Sequence, residues 1–587
     1  MSSYKQFSSY GSTSASVNVN ANQADILAHD RVVKHGPYML DLHVDHLHST
    51  KSPEMAQSDS EANLSLREEV VELENAARTD ASAEAAEKSR ATVHIPDDES
   101  TAFSFKKLWA FSGPGFLMSI AYLDPGNIES DLSAGATAGY SLIWVLWWST
   151  IMGLALQILA ARLGVVTGKN LAQVCRDHYS RPARYALWAM TELAIIGSDI
   201  QEVVGSAIAI RILSKQAIPL WGGVLITAAD TFTFLFLEGY GLRKLELVFA
   251  ILIAIMVGAF GYMYGESTAS QVDVLKGLAV PSIPSGTLEQ AVSLVGAVIM
   301  PHNIFLHSAL VQSRQIDRSK EKKVTEANMY YRIESTIALV LSFVINVMVV
   351  GVFASLVASG SDGNCGSDID LFSAGNCLAQ QYGDTFLYIW AVGLLAAGQS
   401  STMTGTYAGQ FVMNGFLKLD IKPWKRVLLT RSIAIIPAVS VAAVAHNGDG
   451  SLSSLGEWLN ILQSIQLPFA LLPILIFTSS ERVMGSWRNG RILQSVCWAI
   501  GFLVLGMNVY LIIDFVQTSF PDLIELYVLV GVLGAAYMIF ICYLMKDSVW
   551  YIWLVSKLFN RQIHSNLYET SQAGQPSDKT KLLGAAY

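Results

Sequence analysis

The sequence predicts an all-α polytopic membrane protein of twelve spans: a five-plus-five inverted repeat with broken helices 1 and 6, plus two further helices. Three observations predict it. Of 587 residues, 52% are hydrophobic and 15% charged, with mean hydropathy +0.39, whereas soluble domains carry roughly a quarter charged residues. Apolar stretches of membrane length recur through residues 105–546. The first and sixth of them are interrupted at mid-length, by Asp124-Pro125-Gly126-Asn127 and Met300-Pro301-His302-Asn303. Matching proline-interrupted segments in two halves of a chain mark an inverted repeat, because five helices per repeat bring the second set in with opposite orientation.

The spans are expected near residues 110–139, 142–164, 184–210, 218–237, 245–264, 288–312, 330–357, 385–415, 427–445, 454–478, 490–516 and 524–546. Charge alternates between the connections. Those at 165–184, 238–246, 313–332, 416–431 and 479–491 carry 4, 2, 6, 5 and 3 Lys/Arg, and those at 359–384, 446–457 and 517–525 carry none. Basic loops stay on the cytosolic side, so both termini are expected in the cytosol. The connection holding Arg211 and Lys215 runs against the pattern.

Residues 1–104 are expected to form a disordered cytosolic tail, 105–546 the twelve-helix domain and 547–587 a cytosolic C-terminal tail. The first hundred residues hold 8 Lys/Arg against 17 Asp/Glu, and low hydrophobicity with excess charge does not offset the entropy of ordering. The first apolar run of useful length begins after Lys107, so no cleavable leader is expected. Asp41, His43, Asp45, His46 and His48 form either a loose metal-binding cluster or a solvated polar stretch. The remaining chain carries 31 charges of each sign, which offers nucleic acid no basic footprint. Of five cysteines, Cys175 sits in a basic connection and Cys497 and Cys542 in apolar spans. Cys365 and Cys377 share one polar, non-basic connection, and a disulfide is expected if that side is oxidising.

The chemistry concentrates at the two breaks. Proline has no N–H, so the carbonyls of Ala121 and Ala297, four residues before Pro125 and Pro301, lose their helical donor. Inside a bilayer such an oxygen persists only where protein, water or a ligand satisfies it. With the Asp124 carboxylate, the Asn127 amide oxygen and the Met300 thioether, these carbonyls make a candidate cation site. A thioether suits softer first-row transition metals better than Mg²⁺ or Ca²⁺. Asp124 also reads as a cap for the half-helix starting at Pro125, a role compatible with ligation. An ionised carboxylate at mid-membrane is expensive, about 3 kcal/mol or more, and needs a partner.

Other polar groups lie in apolar segments. Glu192, Asp199 and Glu202 share one helical face of the third span; they read either as a proton or ion path or as a static network with Arg431, at the start of the ninth. His302 adjoins the candidate site and titrates near neutral pH. His307 reads as a proton carrier or as a hydrogen-bonded interior histidine. The tenth span offers the Asn460, Gln463 and Gln466 amides, of which Asn460 is a candidate ligand. The eighth, Gln399 to Thr406, is dense in hydroxyls that suit helix packing or a wet pathway. No nucleotide loop or nucleophile constellation stands out, so no enzyme is expected.

The stretch Asp124 to Asp131 and the run Met300 to Asn303 resemble the signature motifs of the Nramp (natural resistance-associated macrophage protein) family. Gln399 to Tyr407 and Leu467-Pro468-Phe469-Ala470 are similar to its animal-type divalent metal transporters. The resemblance spans about residues 105–545. It implies a LeuT-like fold and proton-coupled import of Mn²⁺ and Fe²⁺ as substrates toward the cytosol, with no cofactor, by a monomeric unit. By that resemblance Asp124, Asn127, Met300 and the Ala121 and Ala297 carbonyls match metal-binding positions, and Asn460 an amide that joins in some conformations. His302, Asp199, Glu202 and Arg431 match residues linked to proton movement. The 359–384 connection lacks the Asn-x-Ser/Thr sequon of many animal members. The alternatives are a carrier of a harder cation such as Mg²⁺ and a metal-sensing receptor of the same fold. Asp578-Lys579-Thr580-Lys581-Leu582-Leu583 resembles an acidic dileucine signal for sorting adaptors, and Tyr4-Lys5-Gln6-Phe7 a tyrosine-based one. They favour an endosomal, lysosomal or vacuolar membrane, with the plasma membrane next.

Overall fold

The computed structural model describes residues 93, 95, 103–239, 242–358, 365, 369–418, 423–444, 451–519 and 524–546. The His/Asp cluster at 41–48, Tyr4, Phe7, Asp578, Leu582 and Leu583 lie outside them. The described secondary structure is helical apart from one parallel bridge between Val93 and Arg314.

The first span is made of α1 (Phe105–Phe111), α2 (Pro114–Ile120) and α3 (Pro125–Ala138). Spans two to five are α4 (Ile143–Thr167), α6 (Arg181–Leu213), α7 (Leu220–Gly239) and α8 (Leu242–Glu266), with α5 (Leu171–His178) between the first two. After α9 (Gln271–Ala279) comes the sixth span, split into α10 (Leu288–Val298) and α11 (Pro301–Leu310). Then follow α12 (Glu321–Ala358), α13 (Leu371–Tyr382), α14 (Asp384–Leu417) and α15 (Pro423–Val444). The chain continues with α16 (Ser451–Gln466), α17 (Pro468–Ser479), α18 (Glu481–Met484), α19 (Arg491–Ser519) and α20 (Ile524–Met545).

Among the described residues, eight helical stretches are long and apolar enough to cross a membrane. The other four expected spans are helical too: the broken α2–α3, then α7, α14 and α15. In α20 the apolar side chains Val528, Val532, Leu533 and Ile539 face outward, which suits a helix bathed in lipid rather than water. Polar side chains instead gather inside, on α3, α6, α12 and α14.

Two boundaries differ from expectation. The seventh span's helix starts at Glu321 rather than near 330. Its extra turns are held by burial: Val324, Ala327, Tyr330 and Tyr331 cluster with Phe111, and Phe111 stacks on Tyr330 at 5.1 Å. The tenth span, expected to run unbroken over 454–478, divides at Leu467 into α16 and α17. Pro468 is the cause, since it leaves the Ser464 carbonyl without its helical donor. Asn508 of α19 takes that place, its Nδ2 donating to Ser464 O at 2.6 Å.

Small residues let the helices around span 1 approach closely. A Cβ on Gly135 of α3 would lie 2.5 Å from the Val350 carbonyl oxygen of α12, which no real contact allows. The start of α2 is fixed by Glu334 of α12, which accepts from Gly113 N at 2.5 Å and Gly115 N at 2.9 Å. The end of α1 is fixed by two arginines. Arg243 donates to the carbonyls of Ala110 (2.8 Å) and Ser112 (2.9 Å), Arg314 donates to the same two oxygens, and both guanidinium groups pair with Glu246. At the opposite chain turn, Cys365 and Cys377 are joined by a disulfide, Cα–Cα 5.7 Å, and Asp370 caps α13.

Asn346 of α12, buried, donates through Nδ2 to the Tyr122 carbonyl at 3.1 Å. Replacing it with Leu leaves that oxygen buried without a donor, at a cost of about 1–3 kcal/mol. The purified Asn346→Leu protein is expected to melt several degrees below the parent in detergent; an unchanged Tm would show that this amide does not hold the break.

Candidate metal centre

The first break is built from local rules. Helix α2 tightens in its last turn, with Tyr122 N bonding Ser119 O (3.2 Å) and Leu123 N bonding Ile120 O (2.8 Å). Asp124 is then driven extended, φ −71° and ψ 164°, as a residue before proline prefers. Its Oδ1 caps α3, accepting from Asn127 N at 3.1 Å and also from Asn127 Nδ2. The cap thus occupies only one of its two oxygens. Oδ2 is buried with no hydrogen-bond partner among the described residues.

The second break repeats the design. The last turn of α10 closes with Ile299 N on Val295 O at 3.0 Å, Met300 is extended (φ −78°, ψ 133°), and α11 starts at Pro301. Met300 and Ala297 are buried. One contact joins the breaks directly: Asn303 Nδ2 donates to the Ala121 carbonyl at 3.2 Å. The freed oxygen therefore has a protein donor, and a carbonyl oxygen so bonded keeps a second lone pair. Each x-Pro-x-Asn motif sends its asparagine amide to span 1, Asn127 to Asp124 and Asn303 to Ala121.

Asn460 of α16 is one shell away. Its Oδ1 accepts from Gln201 Nε2 of α6 at 2.8 Å, and its Nδ2 lies 3.4 Å from both Ser130 Oγ of α3 and Ser293 Oγ of α10. Gln463 Nε2 donates to Gln201 Oε1 at 2.7 Å. Four elements, the tenth, third, first and sixth spans, are stitched through these amides and hydroxyls.

The acidic face of α6 turns toward α14. Glu202 Oε1 accepts from Ser198 Oγ (2.8 Å) and from Ser401 Oγ of α14 (2.6 Å). Asp199 faces the same helix: a Cβ on Gly405 would lie 2.7 Å from Asp199 Oδ1 and 3.4 Å from Glu202 Oε2. Both residues are buried. Glu192, two turns earlier, accepts from Trp188 Nε1 at 3.0 Å instead. His302 is buried with Nδ1 unpartnered among the described residues, and His307 Nε2 lies 3.4 Å from Ser335 Oγ of α12. The Arg431 side chain lies outside the described residues, although its backbone is helical in α15. No three His, Cys, Asp or Glu side chains converge among the described residues; the candidate set draws on one carboxylate, an amide, a thioether and backbone oxygens.

A family model described as natural resistance-associated macrophage protein-like matches residues 115–514. The chain belongs to the Nramp family. It is 55% identical over 455 residues to the metal transporter Nramp4 of Arabidopsis thaliana, covering 77% of this chain and 88% of that protein. Identity to the metal transporter nramp1 homolog of Dictyostelium discoideum is 58% over 427 residues, covering 72% and 78%. Among solved structures, the Eremococcus coleocola manganese transporter in complex with an aromatic bis-isothiourea substituted compound shares 32% identity at TM-score 0.68, covering 79% of this chain and 97% of that one. The all-helical arrangement with broken spans 1 and 6 is thus the fold of this Nramp chain, as in the manganese transporter it matches.

Gln201, Asn303 and Asn346 carry roles that sequence reasoning left unassigned. A signal existed for two of them. Gln201 lies between Asp199 and Glu202, in an otherwise apolar stretch, and Asn303 occupies the place in its motif that Asn127 occupies in the other. Asp131 is a further buried carboxylate, its Oδ2 unpartnered among the described residues, seven positions after Asp124.

Gly405 gives a way to disturb the acidic face alone. In Gly405→Ala the new methyl must displace Asp199, so Mn²⁺ uptake driven by a pH gradient is expected to fall several-fold in proteoliposomes. Equilibrium Mn²⁺ affinity is expected to fall much less than uptake does, since the atoms nearest the new methyl belong to Asp199 and Glu202 and not to the candidate metal residues. Equal losses in both would show that the acids and the breaks form a single unit.

Proposed function

We propose that this protein is a proton-coupled secondary transporter that moves divalent transition-metal ions, Mn²⁺ and Fe²⁺, into the cytosol. Divalent metal transport is supported by the family and by relatives named as metal transporters. The observation that carries the reading is Asp124: a carboxylate with one oxygen committed to the α3 cap and the other buried without a donor among the described residues. In a membrane interior that oxygen calls for a cation. Asn127 gives its N–H to Asp124, and the carbonyl half of its amide is what remains for the ion. The Ala121 and Ala297 carbonyls add neutral oxygens, and Met300 a soft sulfur that favours transition metals over Mg²⁺ or Ca²⁺.

Proton coupling is the finer part of the proposal. Asp199 and Glu202 are buried on α6 against a helix that supplies a hydroxyl donor, Ser401; His302 adjoins the metal site in sequence. Buried acids in a spanning segment commonly mark a proton route, with Arg431, Glu192 and His307 as its further candidates. The motif around Asp578, Leu582 and Leu583 is proposed to engage sorting adaptors and direct the protein to an endosomal, lysosomal or vacuolar membrane.

Two substitutions test the reading. Asp124→Asn is expected to abolish Mn²⁺ binding by calorimetry and metal-driven acidification of proteoliposomes together; retained affinity would remove the site assignment. Met300→Ala is expected to keep measurable Mn²⁺ uptake but make it sensitive to competing Ca²⁺, since the remaining oxygens suit hard cations. Equal Ca²⁺ inhibition of mutant and parent would show that the thioether is not the filter.

A further inference from the structure

Gln201 stands between two spaces. On one side it lines a narrow cleft of about 20 Å³ with Glu129, Asp370, Phe372, Gly456 and Leu459, room for about one water molecule. Asp370 and Phe372 belong to the connection that bears the disulfide, so the cleft lies at that end of the helices. On the other side Gln201 faces the first break. A Cβ on Gly126 would lie 2.6 Å from Gln201 Oε1 and 3.1 Å from Asp124 Oδ2. The glutamine is therefore next to the carboxylate oxygen that awaits a cation.

Two amide oxygens in the tenth span near Gln201 have no donor placed on them among the described residues. Gln463 donates to Gln201, and Gln201 donates to Asn460. The chain of bonds begins at Gln463 Oε1, a buried oxygen with no partner among the described residues. Gln466 Oε1 is in the same state. Neutral amides in that balance can exchange a hydrogen bond for a cation without leaving a new charge buried. The other N–H of Gln201 Nε2 is held by Gly456 O at 3.3 Å, so the side chain stays anchored if Asn460 turns away.

We propose that Gln201 is a positioning residue that latches the metal site on the disulfide-bearing side: it holds the Asn460 oxygen off the cation until the cargo reaches Asp124, and then releases it to the ion. The inference rests on the reading of Asp124 as the metal ligand. Releasing Asn460 breaks one neutral hydrogen bond before a metal contact forms, so the latch weakens equilibrium binding. Removing it should tighten binding, whereas loss of a purely structural contact should weaken it or leave it unchanged.

A double-mutant cycle on the full chain decides it, with Mn²⁺ affinity read by calorimetry. Gln201→Leu and Gln201→Met remove the amide while keeping bulk, and each is expected to lower the Mn²⁺ Kd by roughly 3- to 10-fold, the range for one neutral hydrogen bond. Asn460→Ala is expected to weaken binding, and in that background the Gln201 substitutions should have no effect. A Kd unchanged or raised in both Gln201 variants, the same tightening without Asn460, or failure of both variants to fold would overturn the latch. The parent and Asp124→Ala serve as the reference pair. If the parent binds and Asp124→Ala does not, the metal-site reading stands whatever Gln201 does; if the parent does not bind Mn²⁺, that reading falls and the latch with it.

Discussion

A backbone oxygen freed where a span breaks inside the membrane needs another donor, and the interior around the breaks is organised by that requirement. Three asparagines meet it at the breaks of spans 1 and 10. Asn303 reaches Ala121 O, Asn346 reaches Tyr122 O and Asn508 reaches Ser464 O. Each comes from a different span, so each also ties a broken helix to a neighbour. An unpaired amide in hydrocarbon costs several kcal/mol, about 4 or more, which makes these contacts determinants of helix position rather than decoration. At Ala121 the bonded oxygen keeps a second lone pair, and that is what the proposed metal site uses.

The architecture separates the candidate ligands from what surrounds them. At the breaks, extended residues Asp124 and Met300 bring a carboxylate and a thioether to the ends of half-helices. Around them neutral amides of α6 and α16 make a layer that can rearrange without burying charge. Farther out, α1 and the start of α2 are held by Arg243, Arg314, Glu246 and Glu334, so the first span is anchored by charge at one end and by amides at its centre. The acids of α6 face α14 across Gly405, where the absence of a side chain leaves them room.

Much of this is legible in the sequence, for reasons that can be stated. Spans are legible because hydrocarbon thickness sets a length that composition must meet. The breaks are legible because Pro125 and Pro301 sit in apolar runs with an asparagine two residues on. The tenth-span break carries only half of that signal, since Pro468 has Ala470 two residues on, and it lies beside Gln463 and Gln466, whose polarity draws the reading toward ligands rather than geometry. The extension of α12 to Glu321 is not legible from apolarity, because those turns alternate charged residues with Val324, Ala327, Tyr330 and Tyr331, whose partner Phe111 is remote in the chain. The partners of Gln201 and Asn346 are unreadable for a related reason: a glutamine or asparagine inside a span announces a need for a partner, but which carbonyl or amide it meets depends on helices that the chain brings together only on folding.

The central claim is that the two breaks together hold the cation. Anomalous diffraction from crystals grown with Mn²⁺, collected at the manganese edge, tests it most directly. The account predicts one strong peak between the Asp124 carboxylate and the Met300 sulfur, absent from Asp124→Ala crystals. A peak among Glu192, Asp199 and Glu202, or one at the breaks that persists without the Asp124 carboxylate, would contradict it.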